Sequence, residues 1–519
     1  MLNSRSIKPP TTPQRPHQIV WQTEVQEHLL QDPYHWLRAK DDPAVAAYLQ
    51  EEQAYTETVL AGQAVLRDEI YQEIKSRIIE TDQSVPVHID DYWYYTRTEA
   101  GLEYPIYCRR QETMAATEEI LLDQNALAAG QDYCDVGMLA VSPDHRYLVY
   151  GLDTTGDEVY TIYIKDLSVS TVVVTSITNA APTLVWTNDS RGFYYVTLGR
   201  AQRPDTVCYY TLHDPEVHTE AVLHETDPGF YVTLGKTKDK AYILIEVSSG
   251  TTNEVWYMSA DRCAAGAECV WKRREDIEYF LEHHSGTWYV LINDTDPNFR
   301  LLTIPVGTLD PTEGEEIMAA RSEVVLEGIE LFAEYLCVFE MREGITGLRV
   351  CNVCERVWRE VVFPEPVYQL GIGANPNFTS QDLRLHYSSP VTPNTTYACD
   401  LRTGDLLILK QQIVPNYQPV DYIVERQHVV APDGEQIPVT IVRPQQLTQP
   451  GPCVCTGYGA YGVVETTGFS ISILSLLQRG FVYAVAHVRG GGEKGRRWFE
   501  AGRLLQKQNS FTDFIAVTE

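Results

Sequence analysis

With 519 residues, 44% of them apolar and 22% charged, the chain is too long for one hydrophobic core and reads as a soluble globular protein of two domains. Its 71 acidic residues against 41 basic ones give a formal net charge of −30, which argues against nucleic acid and anionic membrane surfaces as partners and favours cationic ligands. The 11 cysteines, odd in number and scattered, argue against a disulfide scaffold and point to reduced thiols in a cytoplasm.

The first residues, MLNSRSIKPPTTPQRP, carry prolines where a signal peptide needs an apolar run. No uncharged apolar stretch approaches the length of a membrane span, so a soluble, cytoplasmic chain is expected. Asp42 followed by Pro43 marks a helix start, because an aspartate caps the first turn and proline at the first helical position gives up no hydrogen bond. Val45, Tyr48, Leu49, Tyr55 and Val59, then Ile70, Ile74 and Ile78, recur at three- and four-residue steps. They predict two helices bent near Gly62, with an apolar face that needs a partner domain.

From about residue 85 the period changes to two, and a unit recurs in which a polar turn precedes a short aromatic or β-branched strand. The copies are DDYWYY, DHRYLVY, SRGFYYV, DKAYILI, SGTWYVL, AEYLCVF and QDLRLHY. Aligned on Tyr92, Tyr147, Phe193, Tyr242, Trp288, Tyr335 and Leu383, they follow one another at steps of 55, 46, 49, 46, 47 and 48 residues. That period fits a four-stranded propeller blade, which cannot bury both faces alone and must stack against neighbours. A pair of β-sandwiches would also alternate strands and turns, but would not require such regular spacing. Cys351 and Cys354 form a CxxC with no second pair to complete a tetrahedral site, so no metal is expected and strand cysteines are the better reading.

Near residue 413 the rhythm breaks. VVAPDGEQIPVTIVRP predicts two strands joined by a tight turn at Asp433-Gly434. CVCT at 453–456, a helix across SILSLLQRG, the strand FVYAVAHV at 481–488 and a helix through WFEAGRLL then predict a parallel sheet of the α/β class.

Several strings carry a family likeness: DPYHWLR at 32–38, ETDQSVP at 80–86, DDYWYYTR at 90–97, EYPIYCRR at 103–110, GYGAYG at 457–462, LLQRGFVYAVAHVRGGGE at 476–493 and NSFTDFIAV at 509–517. They resemble the prolyl oligopeptidase family of serine peptidases, and within it the oligopeptidase B group. The resemblance implies a seven-bladed β-propeller plus a partial α/β-hydrolase domain built from both chain ends, the propeller admitting short peptides and excluding folded proteins. It assigns residues 1–78 to an N-terminal helical segment of the hydrolase domain, 79–412 to the propeller and 413–519 to the first part of the catalytic domain.

Peptide hydrolysis by a serine needs a nucleophile, a histidine base, an acid that orients it and donors for the oxyanion of the tetrahedral intermediate. By resemblance, Tyr458 in GYGAYG is the family tyrosine whose hydroxyl serves the oxyanion. No G-x-S-x-G elbow occurs in the 519 residues, and in the family the elbow, acid and histidine follow the helix matched by FTDFIAV. The chain is therefore expected to be inactive alone. His487, at a strand end, reads as a structural histidine with no serine to serve.

The resemblance to the oligopeptidase B group implies cleavage after arginine or lysine, so short basic peptides are the implied partners, with no cofactor. By resemblance, the family acids that can meet a second basic side chain are replaced here by Thr466 and Gly468, leaving Glu465 as the nearby carboxylate for substrate binding. A surface ion pair contributes only about 0–1 kcal/mol, which weakens any preference for paired basic residues. The GGGEKG string at 490–495 also fits G-x-G-x-x-G, but it does not open a first βαβ unit, so a turn built on Arg489 and Glu493 is the better reading. The alternative function is a non-catalytic propeller that binds peptides or a protein partner.

Overall fold

The computed structural model describes residues 21–25, 28–169, 171–212, 219–261 and 266–519, which divide into two units at Ile78/Ile79. The proline-rich leader lies outside the described residues. In the first unit, Trp21–Val25 and His28–Asp32 form an antiparallel hairpin that the sequence pattern does not announce. Asp42 caps helix α1, Pro43–Leu60, by accepting a 2.9 Å hydrogen bond from the Ala44 backbone N–H. A single 3-10 turn at Ala61–Gln63 leads into helix α2, Ala64–Ser76, where the bend was expected. Val45 is buried, whereas Leu49 remains 59% exposed, so the predicted apolar stripe is only partly covered within this unit.

The second unit contains seven blades of antiparallel strands. Each aligned aromatic or leucine position falls at the start of the second strand of its blade, from Tyr92–Thr98 in blade one to Asp382–Ser388 in blade seven. The turns that precede these strands share one device in blades two to four. The hydroxyls of Ser142, Thr187 and Thr237 donate to Asp144, Asp189 and Asp239 at 2.5, 2.7 and 2.8 Å. Each aspartate in turn accepts from a backbone N–H two residues on, which fixes the left-handed residues His145, Ser190 and Lys240.

One feature departs from seven separate sheets. The 16-residue strand Thr171–Trp186 pairs at its start with Tyr160–Asp166 and at its end with Gly192–Leu198, so blades two and three form one seven-stranded sheet. Six of the seven blade junctions are filled by apolar clusters, for example Phe339, Leu348, Leu383 and Leu385 between blades six and seven. Cys351 is buried in a strand and Cys354 exposed in a turn, and no cluster of three or more metal-ligating side chains occurs among the described residues.

Beyond the propeller, Tyr422–Val430 and Gln436–Pro444 make the expected hairpin, with Gly434 at φ +94° in its turn. The strand Val482–Ala486 lies beside Gln436–Pro444 and Cys453–Thr456 lies at the sheet edge. The expectation of a parallel sheet holds for one pair only. Cys453–Thr456 and Val482–Ala486 run parallel, while the tight turn forces the hairpin to be antiparallel and Val482–Ala486 joins it in the same sense. The helix expected through WFEAGRLL also stops early, at Glu500, because the chain must pass Gly502 against the backbone of residues 489 and 490. A Cβ at Gly502 would sit 2.1 Å from the Gly490 nitrogen.

Candidate active site

The two parallel strands end at the same edge of the sheet, and their loops, 457–462 and 487–493, lie together there. In open α/β sheets this carboxyl edge is where ligands bind. The loops meet backbone to backbone. A Cβ at Gly490 would lie 2.1 Å from the Gly459 carbonyl oxygen, and one at Gly492 would lie 2.3 Å from that of Gly462. Gly462 donates its N–H to the Gly490 carbonyl at 3.0 Å. The space in front of the glycines of GGGEKG is thus taken by protein, backbone at Gly490 and Gly492 and the Glu493 and Asn298 side chains at Gly491 and Gly495, which accounts for the string without a phosphate.

Tyr458 directly follows the edge strand. Its ring is half exposed, 6.5 Å from that of Tyr461 between centroids. The base of the loop is fixed: Lys507 donates to the Gly459 carbonyl, and the Ser510 hydroxyl donates to the Arg489 carbonyl at 2.5 Å. The arrangement holds a phenol, able to donate or accept, on a rigid stem.

Glu465 is half-buried, and its backbone N–H donates to Glu493 Oε1 at 2.9 Å. Burial, and then the neighbouring Glu493 carboxylate, push the Glu465 carboxyl above its ordinary value. Tyr458 and Glu465 share no recorded hydrogen bond or ring contact. Gly468 faces blade seven, where an added Cβ would meet Gln369 Oε1 at 2.4 Å and Ser388 Oγ at 2.8 Å. A side chain at 468 would have to displace Gln369 of the propeller, which already fills that space.

His487 is 1% exposed. Arg426 donates to the Thr440 hydroxyl oxygen at 2.7 Å, which leaves the hydroxyl proton for His487 Nε2 at 3.0 Å. The ring proton then sits on Nδ1, 3.6 Å from Glu493 Oε1. Burial pushes the imidazole below its ordinary value, with Glu493 acting the other way. The ring is a structural group, as its strand-end position suggests.

Asp513, Glu343 and Gly344, which the sequence reading did not single out, complete the frame around Arg489 and Glu493. Arg489 is clamped by Asp513 on the last helix, Gln508–Thr518, and by Asp433 in the hairpin turn at 2.6 Å. Hydrogen bonds from Arg489 hold the Asp433 carboxyl below its ordinary value. A lone aspartate among apolar residues of a helix was the available signal for Asp513, since a buried carboxylate requires a cation. On the propeller side, the Glu343-Gly344 turn of blade six reaches this frame. Gly344 donates its N–H to the Glu493 carbonyl at 2.9 Å, Arg426 donates to the Glu343 carbonyl, and His428 pairs with Glu343 at 3.0 Å.

Residues 10–412 match the family model "Prolyl oligopeptidase, N-terminal beta-propeller domain", and residues 467–519 match "Prolyl oligopeptidase family". The chain is 36% identical to dipeptidyl aminopeptidase BI of Pseudoxanthomonas mexicana over 99% of its own length and 73% of that protein. It is 29% identical to protease 2 of Moraxella lacunata, covering 75% of it. Among solved structures, oligopeptidase B from Leishmania major superposes with a TM-score of 0.91 at 30% identity, covering 99% of this chain and 76% of that one. Oligopeptidase B from Trypanosoma brucei, in a closed form with covalently bound antipain, gives 0.89 at 30% identity over 94% and 72%.

Proposed function

Since the chain belongs to the prolyl oligopeptidase family of serine peptidases, we propose that its activity is cleavage of short peptides after arginine or lysine, with Tyr458 as an oxyanion donor. On this reading the 519 residues by themselves do not hydrolyse peptides, because no serine elbow is among them. The observation that carries the reading is the half-exposed Tyr458 on a loop anchored by Lys507 and Ser510, at the edge where an α/β sheet presents its chemistry. The net charge of −30 supports a basic substrate, and unpaired thiols at the ten described cysteines support a reducing, cytoplasmic setting.

The test is direct. The 519-residue chain is expected neither to release dye from a small arginyl amide nor to be labelled by a serine-directed phosphonate, and covalent labelling would overturn the reading. A chain that binds arginine-containing peptides without cleaving them would fit the non-catalytic alternative equally, so the two are separated by supplying the serine elbow together with the acid and histidine of the triad. Turnover after arginine then supports the peptidase.

A second reading is favoured by one observation. The position of a family acid is Gly468, with Gln369 in its space, and the 36% identical relative is named a dipeptidyl aminopeptidase. Removal of dipeptides from free N-termini would show as loss of turnover when the substrate's amino group is acetylated.

A further inference from the structure

The junction between blades seven and one is unlike the other six. Among the described residues no apolar cluster spans it. Instead it holds a cavity of about 700 Å³ and an adjoining one of about 610 Å³. The cause is legible in the strand Asp382–Ser388. Leu383, Leu385 and Tyr387 point into the cluster shared with blade six, so Arg384, His386 and Ser388 are presented to blade one.

Two polar tethers hold the junction at its margins. Lys410 of blade seven pairs with Asp82 of blade one at 2.6 Å and also donates to the Gln83 carbonyl, while Asn377 donates to the His88 carbonyl at 3.1 Å. Burial alone would raise the Asp82 carboxyl, but the Lys410 contact holds it below its ordinary value. Between the tethers, Arg384 lines both cavities. Its guanidinium is half-buried and has no carboxylate partner within ion-pair distance among the described residues. Two other shielded arginines of the propeller are neutralised, Arg109 by Glu119 at 2.7 Å and Arg300 by Asp294 at 2.9 Å, while Arg203 lies over the Tyr231 ring, 4.2 Å from its centroid. Burial, with nothing to offset it, pushes Arg384 below its ordinary value.

We propose that this junction is a carboxylate-binding site for peptides, with Arg384 as the recognising cation. A guanidinium presents two parallel N–H donors that match a carboxylate in both geometry and charge. The cavity suits a peptide better than a small inorganic anion. Its 700 Å³ is far larger than a single anion, and Gln369, Ser388 and Thr396 supply neutral donors and acceptors for peptide groups. Because the protein as a whole is strongly acidic, long-range attraction cannot draw an anion here, and selectivity must come from this shielded contact. The identity of the ligand as a peptide rests on the peptidase reading; the carboxylate chemistry does not.

Binding to the 519-residue chain tests this by calorimetry at low ionic strength. The probes are an N-acetylated alanine pentapeptide with a free C-terminal carboxylate, its C-terminal amide, an amide carrying one internal aspartate, and inorganic phosphate. The free acid is expected to bind at least about tenfold more tightly than the plain amide, since about 1.4 kcal/mol corresponds to a factor of ten. Arg384→Gln should abolish that difference and Arg384→Lys should retain part of it. Gly371→Leu should block binding of every peptide probe while leaving Arg384 in place, because Gly371 lines the cavity and the nearest atom to an added Cβ is 3.8 Å away. Tight binding of the aspartyl amide would support the carboxylate site and assign a side chain as the source. Equal binding of acid and plain amide, persistence of the preference in Arg384→Gln, or phosphate binding as tightly as the free acid would overturn the proposal. No hydrolysis enters the assay, so failure here leaves the labelling and turnover tests of the peptidase reading unaffected.

Discussion

Arg489 and Asp513 form a buried two-pronged ion pair, Nε to Oδ2 at 2.8 Å and the second guanidinium nitrogen to Oδ1 at 2.5 Å, and the Arg489 backbone N–H adds a third bond at 3.0 Å. Asp513 is fully buried and Arg489 nearly so. Such a pair is worth little compared with apolar packing, but breaking it strands a charge at a cost of about 3–5 kcal/mol. Arg489→Met, which leaves the fully buried Asp513 carboxylate without its cation, is therefore expected to destabilise the hydrolase portion by about that amount in urea unfolding. An Arg489→Met, Asp513→Leu double variant should recover most of the loss.

The Glu343-Gly344 turn brings blade six of the propeller against the glycine-rich loop. Gly344 has φ +77°, and an added Cβ would lie 3.0 Å from Glu493 Cγ and 3.5 Å from Val464 Cγ1. Gly344→Val then combines a strained backbone with overpacking, each of order 1–3 kcal/mol. The expected result is faster amide exchange at residues 463–465 and 491–493 with little change in blade seven. Uniform exchange across both regions would contradict a local contact.

His487 sets a pH dependence whose sign follows from its burial. The folded imidazole lies below its ordinary 6.5, so the unfolded chain binds more protons in the interval between the two values. The stability it contributes is fully present above about pH 6.5 and is lost as pH falls toward the depressed folded value. The charged groups near the ring are Glu493 and Glu343, which oppose the shift, and Arg426, which reinforces it. His487→Gln, which keeps a partner for Thr440, should flatten the urea midpoint between pH 7 and pH 5.

On the proposed reading, Tyr458→Phe removes one oxyanion donor. In a form of the protein that carries the complete serine, acid and histidine triad, kcat should fall by about 10²–10³ with KM little changed, because the bond forms only in the transition state. Its ring is already half exposed, so the unfolding midpoint should not move. An equal fall in stability would assign Tyr458 to packing instead.

Much of this fold is legible because its signals are local. Blade spacing depends on strand and turn chemistry within each unit, and Asp42-Pro43 and Asp433-Gly434 announce their helix and hairpin through adjacent residues. What escapes is set by distant contacts. The sharing of Thr171–Trp186 by two blades depends on pairing at both ends of one strand, and the break at Gly502 depends on residues 489 and 490. The polar junction at Arg384 is intermediate: alternation in QDLRLHY shows which residues oppose the leucines, but not that blade one leaves a cavity in front of them.

Glu465 offers the last test, again on the proposed reading. Its carboxyl is raised by burial and by Glu493, so a larger share is neutral in weak acid than for an ordinary glutamate. Only the ionised form attracts a cationic side chain. Affinity for a peptide with two adjacent arginines should therefore increase as pH rises through that raised value, and the same peptide with one arginine replaced by alanine should show a smaller increase. Glu465→Gln should remove the difference. The effect is bounded by the worth of a partly exposed ion pair, about 0–1 kcal/mol, or up to about fivefold in affinity. A change beyond tenfold would mean that a second carboxylate meets the substrate, and Glu493, whose Oε2 is buried without a hydrogen-bond partner, is the group to replace next.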